Sequence, residues 1–169
     1  MIAPLLLALL LQTAPLATAP VSPAASSQQS QTVLDEANGV LDALHDAAAR
    51  ADGEAYFALY TPTGRFVGTD ASEHWSLAEF RRYADPLFAR GRGWTYHPRD
   101  RVLTVADGVV VFDEKLDHAS YGELRGSGVL VRDANGGLKV QQYVLSFTVP
   151  NDKAAAVVEV IRAPAPAAD

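Results

Sequence analysis

The sequence predicts an α+β fold in which N-terminal helices pack on the concave face of a curved antiparallel sheet. Its 169 residues are 49% hydrophobic and 20% charged, an ordinary globular composition that is long enough for one domain with a core. Apolar residues recur at helical spacing in the first half of the chain and alternate in the second half. Helices followed by a run of long strands are typical of this fold class.

The charge balance and the cysteine count exclude several functional classes. The chain has 14 Lys and Arg residues against 20 Asp and Glu residues, so its formal net charge is −6. An acidic chain without a basic run is not expected to bind nucleic acid or an anionic membrane surface. The absence of cysteine excludes disulfides, thiolate metal sites, cysteine nucleophiles and a lipid-modified N-terminal cysteine.

Residues 1–24 have the pattern of a cleavable signal peptide. The apolar run Leu5–Leu11 is far shorter than the ~20 residues of a membrane span. Small residues follow it and place the cleavage position between Ala19 and Ala25. No Lys or Arg precedes the run, and a disordered leader rich in Ala and Pro is the alternative. We expect an exported protein, periplasmic or secreted, with no membrane span after cleavage.

The rest of the chain divides into a linker, one domain and a tail. Residues 25–32 are polar and residues 163–169 are rich in Ala and Pro, and both compositions are typical of disorder. The folded domain is therefore expected to cover residues 33–162.

The domain begins with helices. Residues 33–51 carry one apolar stripe at three- and four-residue spacing. Asp52-Gly53 breaks this helix, a short second helix follows at residues 54–60, and residues 65–68 form a β stretch. The stripe consists of Leu34, Ala37, Leu41, Leu44 and Ala48.

A third helix is marked by its start signals. Ser76 and Glu79 have the spacing of a capping box, and Trp75 and Phe80 have the spacing of a hydrophobic staple around it. Pro86 removes a backbone donor and should kink this helix or end its regular part.

Four long strands make up the second half of the domain. Pro98 interrupts the first and indicates an edge or a bulge there. Asp107-Gly108 and Asn135-Gly136 are hairpin signals. Residues 152–162 predict a terminal helix or a weak extra strand. The four strands are predicted at residues 94–105, 109–118, 123–132 and 138–149.

Several of these segments resemble a known family. The stretches "FVGTDASEHW", "GWTYHPRDRV", "VVFDEKLD", "RGSGVLV" and "QQYVLSFTVPN" are similar to the SnoaL-like branch of the nuclear transport factor 2-like superfamily. The resemblance covers residues 33–151 and implies a cone-shaped α+β domain with a pocket between sheet and helices. It implies no single activity, because relatives include isomerases, cyclases, epoxide hydrolases, dehydratases and binding or dimerising domains. No catalytic set is carried over from the family.

Strand alternation places one carboxylate inside the predicted pocket. Glu114 shares its parity with the apolar Val110, Phe112 and Leu116, which predicts an inward orientation. If Arg125 of the next strand also faces inward, it needs a partner, and Glu114 is the natural one. The pair is then either a structural ion pair or a site in which the carboxylate acts as general acid or base.

The other candidates for the pocket are a second carboxylate, several aromatic residues and a few polar residues. Asp70 is either the cap of an Asx turn or a residue at the pocket mouth, where it is a second candidate base. Trp75 fits a staple better than a ligand platform, and the other aromatic candidates fit core or rim positions with polar tips toward a ligand. Metal-ligand spacing and phosphate-loop context are absent from the sequence, so neither a metal nor a cofactor is expected. The pocket candidates are Trp75, Tyr83, Trp94, Tyr96, Arg125, Gln142 and Ser146.

Three functional hypotheses follow from these residues. The first is an exported pocket protein that binds a small, largely apolar molecule without a cofactor, with Glu114, Arg125 and Gln142 supplying the polar contacts. The second is a cofactor-independent isomerase or lyase with Glu114 or Asp70 as base. The third is an interaction module that forms a homodimer through the sheet, with Tyr143, Leu145 and Phe147 on the outer face of the last strand.

Overall fold

The computed structural model describes residues 23–163 and confirms the α+β architecture. It has a six-stranded curved sheet, with the first three helices packed against one face. No helix among the described residues is long and apolar enough to cross a membrane. The elements are α1 Pro23–Ala49, α2 Gly53–Ala58, β1 Tyr60–Val67, β2 His74–Ser76, α3 Leu77–Phe88, β3 His97–Ala106, β4 Val109–His118, β5 Gly122–Arg132, β6 Leu138–Phe147, a 3₁₀ turn Asn151–Lys153 and α4 Ala154–Arg162.

The sheet is mixed rather than wholly antiparallel. Its strand order is β2-β1-β6-β5-β4-β3, and β1 runs parallel to β6 while all other neighbours are antiparallel. The β3–β6 meander follows the two hairpin signals, whereas β1 joins β6 only after the intervening helix and four strands have been completed. Such a non-local pairing leaves no signal in the local sequence pattern.

The predicted local signals of the helices are present. Ala37, Leu41, Leu44 and Ala48 of the apolar stripe of α1 are buried, as expected from their spacing, and Leu34 is half-buried. Ser76 and Glu79 form the capping box in both directions, and the Trp75 ring stacks on Phe80 with centroids 5.9 Å apart. The helix α3 continues past Pro86 and ends at Phe88, so the proline lies in its last turn.

The first helix begins earlier than the sequence predicts, and the C-terminal segment is helical. The helix α1 begins at Pro23, so residues assigned to the linker lie in its first turns. Residues 152–162, which left a choice between helix and strand, form the 3₁₀ turn and α4. No residue of α4 is buried. Residues 1–22 and 164–169, which hold most of the predicted signal peptide and tail, lie outside the described residues.

Two β-bulges bend the sheet and decide which side chains face the helices. In β3 the register shifts between Arg99 and Val102, where Asp100 adopts a positive φ of 51°. The bulge lies just beyond Pro98 on the edge strand. In β6, Val140 and Gln142 pair with two adjacent residues of β5. Gln141 is therefore an extra residue without a partner in this ladder.

Candidate functional site

The centre of the molecule holds a buried carboxylate with three hydrogen-bond donors. Glu114 faces inward on β4, as its parity predicts, and its side chain is 0% exposed. Its Oε1 lies 2.6 Å from His45 Nε2 and accepts from the Tyr143 hydroxyl at 3.2 Å. Its Oε2 accepts from Arg101 Nε at 2.7 Å. A buried charge with this many donors satisfies the requirement that such groups be paired and hydrogen-bonded.

Each donor reaches Glu114 for a separate structural reason. His45 lies on α1 four residues after Leu41, so it shares the buried stripe of that helix. Arg101 follows Asp100 in the β3 bulge, opposite Glu114 in the register. Tyr143 crosses the position of Gly126, where a Cβ atom would overlap the Tyr143 hydroxyl. The absence of a side chain at this glycine therefore opens the path from the hydroxyl to the carboxylate.

Arg101 also fastens the sheet to α1. Its Nη1 donates to Asn38 Oδ1 at 3.0 Å and to Asp42 Oδ1 at 2.8 Å. These two acceptors are four residues apart on α1, with His45 three residues further on the same face. Nη2 of Arg101 is the one buried side-chain nitrogen or oxygen without a hydrogen-bond partner among residues 23–163. We name the group of His45, Arg101, Glu114 and Tyr143 the buried polar cluster, which Asn38 and the exposed Asp42 join at the surface of α1.

The electrostatics of the cluster keep Glu114 ionised. Burial acts to raise the pKa of the Glu114 carboxyl, but the hydrogen bonds and charges of His45 and Arg101 outweigh it and hold this pKa below its usual value. An ionised carboxylate only accepts hydrogen bonds, so the His45 ring carries a proton on Nε2. Burial and the Glu114 charge raise the pKa of Tyr143, which therefore remains a hydroxyl donor.

The second feature is a cavity between α3 and the sheet, with a volume of about 420 Å³. Its wall is largely aromatic, and its polar members are Thr69, Glu73, Arg92 and His118. The volume lies in the range of small-molecule sites, and an apolar wall with a few polar groups is their usual chemistry. The aromatic wall includes Phe66, Trp75, Tyr83, Trp94, Tyr96 and Tyr121.

The cavity and the buried polar cluster are adjacent but separate. The Tyr96 ring lines the cavity and meets the His45 ring edge-on, with centroids 6.3 Å apart. Phe66 lines the cavity and stacks on Tyr143 with centroids also 6.3 Å apart. Glu114 lies behind this aromatic wall and is not part of it. A ligand in the cavity would therefore approach the carboxylate only through these rings.

A family comparison matches most of the described chain. Residues 37–150 match the family model of the SnoaL-like domain. The chain belongs to the SnoaL-like family. A search of curated proteins found no significant match.

Solved structures of several bacterial proteins share the fold of this SnoaL-like domain. A protein of unknown function from Mycobacterium tuberculosis has a TM-score of 0.61 at 19% identity, with 84% of this chain and 85% of that chain covered. A protein from Streptomyces avermitilis, assigned as a dehydratase of the NTF2-like family, has a TM-score of 0.62 at 17% identity, covering 71% and 99%. One from Parabacteroides distasonis, assigned as a ketosteroid isomerase, has a TM-score of 0.53 at 17% identity, covering 65% and 86%. At these identities the comparisons establish the fold.

The structure brings four of the sequence-derived pocket candidates together in the SnoaL-like cavity. Trp75, Tyr83, Trp94 and Tyr96 all line it. The first of these also acts as the predicted staple, because the Trp75 ring stacks on Phe80. Trp75 is therefore the staple of α3 and also a lining residue of the cavity.

The expected inward orientation of Arg125 is wrong. Arg125 is exposed on the outer face of β5, opposite Lys115 and Ser146 in the register. The inward positions of β5 are instead Leu124, Gly126, Gly128 and Leu130, all buried. The partner that Glu114 required comes from β3, because the bulge there turns Arg101 toward the interior.

The predicted faces of the last strand are reversed beyond its bulge. Tyr143 and Leu145, expected on the outside as a dimer surface, are 4% and 7% exposed and face the helices. Gln142 and Ser146, expected in the pocket, share the outer face. The extra residue at Gln141 causes the reversal, because side chains alternate with period 2 and one inserted residue exchanges the faces.

The second candidate base occupies a turn. Asp70 is exposed, and its Oδ1 accepts from the backbone N–H of Ser72 at 2.8 Å and from the Ser72 hydroxyl at 2.5 Å. This is the Asx-turn arrangement. Its neighbour Thr69 lines the cavity, whereas Asp70 does not.

Sequence reasoning missed several polar residues of the site, among them His45, Arg101 and His118, and it placed Tyr143 on the wrong face of its strand. A signal existed for His45, whose spacing from Leu41 puts it on the apolar stripe of α1. For Arg101 the only signal was the interruption of the strand at Pro98. A proline indicates that a bulge can occur, but it does not show which residue of the strand the bulge turns inward. Within residues 23–163, no group of three or more His, Asp and Glu side chains is arranged to hold a metal ion.

Proposed function

We propose that this SnoaL-like domain binds a small, largely apolar molecule in the aromatic cavity. The single observation that carries the proposal is a cavity of about 420 Å³ with mainly aromatic walls. Such a wall buries flat apolar surface well, and each aromatic contact adds to the transfer free energy of a ligand. The polar residues that serve this pocket are Thr69, Glu73, Arg92 and His118 rather than Glu114, Arg125 and Gln142.

The two tryptophans of the chain make the proposal directly testable. Trp75 and Trp94 are the only ones, and both line the cavity. Titration with 2-acetylnaphthalene, a two-ring neutral compound, is expected to change the tryptophan fluorescence saturably. Equilibrium dialysis gives the dissociation constant independently. The absence of saturable binding for this probe and for other neutral two-ring compounds would refute the proposal.

A matched pair of variants locates the binding. Leu145 lines the cavity, and its neighbour Val144 faces the other side of the same strand. Leu145→Phe fills part of the cavity and is expected to weaken binding at least tenfold, while Val144→Phe leaves it within about twofold. Equal effects of the two variants would place the ligand elsewhere.

A second candidate function, acid–base catalysis, is favoured by the His45–Glu114 pair. The ionised Glu114 fixes the proton of His45 on Nε2, and Nδ1 has no hydrogen-bond partner among residues 23–163. For this chemistry Nδ1 takes a proton from a substrate that reaches His45 past the Tyr96 ring, and the carboxylate stabilises the imidazolium that forms. The base is thus His45, oriented by Glu114, in place of Glu114 itself. The fold-level similarity to proteins assigned as an isomerase and a dehydratase is compatible with this chemistry.

The catalytic candidate has its own assay. The protein is incubated with 2-tetralone in D₂O, and exchange of the acidic α-hydrogens is followed by NMR. His45→Gln and Glu114→Gln are expected to lower any enhancement over the protein-free rate at least a hundredfold, whereas the exposed His97→Gln leaves it unchanged. If the unmodified protein does not accelerate the exchange, acid–base catalysis is refuted and the binding proposal still stands.

We further propose that the protein is exported by cleavage between Ala19 and Ala25. The support is the apolar run and the small residues that follow it. Cell fractionation and N-terminal sequencing of the mature protein test this. A cytosolic product that still begins at Met1 would contradict it.

A further inference from the structure

His118 is a polar residue of the cavity, and two tyrosine rings contact its imidazole ring. It ends β4 and lies between Tyr121, whose ring stacks on it with centroids 4.8 Å apart, and Tyr96, at 5.3 Å. All three residues line the cavity. The imidazole is thus part of the aromatic wall and has a fixed orientation.

The turn after β4 determines which nitrogen of His118 carries the proton. Nδ1 accepts from the backbone N–H groups of Ser120 and Tyr121, each at 3.2 Å. A ring nitrogen that accepts hydrogen bonds carries no hydrogen, so the proton of the neutral imidazole is on Nε2. This Nε2–H has no hydrogen-bond partner in the described part of the chain. It is a donor without an internal acceptor, between two aromatic rings of a wall whose other polar members are Thr69, Glu73 and Arg92.

The charges of the cavity favour a neutral ligand. Glu73 and Arg92 are the charged residues that line it among residues 23–163, and they have opposite signs. Their formal charges cancel, so the wall offers no net charge to select an acid or an amine. A ligand that covers the Nε2–H of His118 without accepting its hydrogen bond would leave that donor desolvated and unpaired, which is unfavourable.

We propose that His118 is the specificity-determining residue of the cavity, and that its Nε2–H donates to the carbonyl oxygen of a neutral aromatic ligand. This rests on the proposed binding function and narrows it to ligands with a hydrogen-bond acceptor at one edge of a flat ring system. The aromatic walls take the rings, and His118 sets which edge faces the turn after β4.

Two isosteric probes and three variants test this. The first probe, 2-acetylnaphthalene, has the acceptor oxygen, and the second, 2-isopropenylnaphthalene, has a CH₂ group in its place. His118→Phe keeps a ring against Tyr121, and His118→Asn keeps an acceptor for the Ser120 and Tyr121 amides. Both lack the Nε2–H donor. His97→Phe, an exposed histidine outside the cavity, is the matched control.

The measured quantity is the preference for the acetyl over the isopropenyl probe, from their dissociation constants in equilibrium dialysis. We expect this preference to fall about tenfold in both His118 variants and to remain unchanged in His97→Phe. An unchanged preference in either folded His118 variant overturns the assignment of His118 and leaves the binding function standing. If the unmodified protein binds neither probe, both the assignment and the binding function are overturned.

Discussion

Replacing Glu114 by Gln tests the energetic importance of the buried polar cluster. The carboxylate is fully buried, and its two oxygens accept from His45, Arg101 and Tyr143. An amide of the same shape must turn its NH₂ group toward one of these donors. His45 can adapt by moving its proton, but Arg101 cannot, and it then keeps only the exposed Asp42 as a charge partner.

The expected loss is about 3 kcal/mol in the free energy of unfolding at pH 7, the lower part of the range for removing one partner of a buried ion pair. For a domain of this size that corresponds to a fall in Tm of about 10 °C. Urea unfolding followed by tryptophan fluorescence measures the difference. Asp113→Asn is the matched control, because Asp113 is the neighbouring carboxylate on the exposed face of β4, and we expect a change within about 0.5 kcal/mol.

The pH dependence supplies a second check with a defined sign. His45 and Arg101 hold the pKa of Glu114 below its usual value in the folded protein. A carboxyl with a depressed folded pKa contributes stability that is present above its unfolded pKa of about 4.3 and is lost as the pH falls through the folded value. The difference in the free energy of unfolding between the unmodified protein and E114Q should therefore become smaller below about pH 4. A difference at pH 7 no larger than that of Asp113→Asn would refute the reasoning.

Three further changes have defined outcomes. Gly126→Ala should lower the free energy of unfolding by about 1–3 kcal/mol, because the added methyl group overlaps the Tyr143 hydroxyl; Gly39→Ala, with no atom within 4 Å of its added Cβ, should raise it by up to about 1 kcal/mol. Equal effects in urea unfolding would contradict this account. Phe80→Ala should cost about 3–5 kcal/mol, since its ring is 1% exposed among other aromatic rings, and a loss below 1 kcal/mol would be inconsistent with that packing. Deleting residues 154–169 should change the free energy of unfolding by less than about 1 kcal/mol, because α4 has no buried residue; a larger loss in Tm measurements would show that it packs on the domain.

Features that depend on neighbours in the chain could be predicted from the sequence. The capping box of α3 joins residues three positions apart, and the apolar stripe of α1 follows from the helical repeat, so both were correct. The inward orientation of Glu114 followed from the strand period, because no bulge interrupts β4 in its pairing with β5. The candidates Trp75 and Trp94 line the cavity, although the local pattern by itself favoured a staple for Trp75 and a core or rim position for Trp94.

The tertiary structure decided which side chains meet Glu114. The bulge at Asp100 aims Arg101 inward, and the extra residue at Gln141 moves Tyr143 from the outer to the inner face. Alternation along a single strand cannot reveal such an insertion, because a bulge is a mismatch between two strands and exists only once they pair. The sequence by itself therefore determined the fold class and the buried carboxylate, while cross-strand register determined its partners.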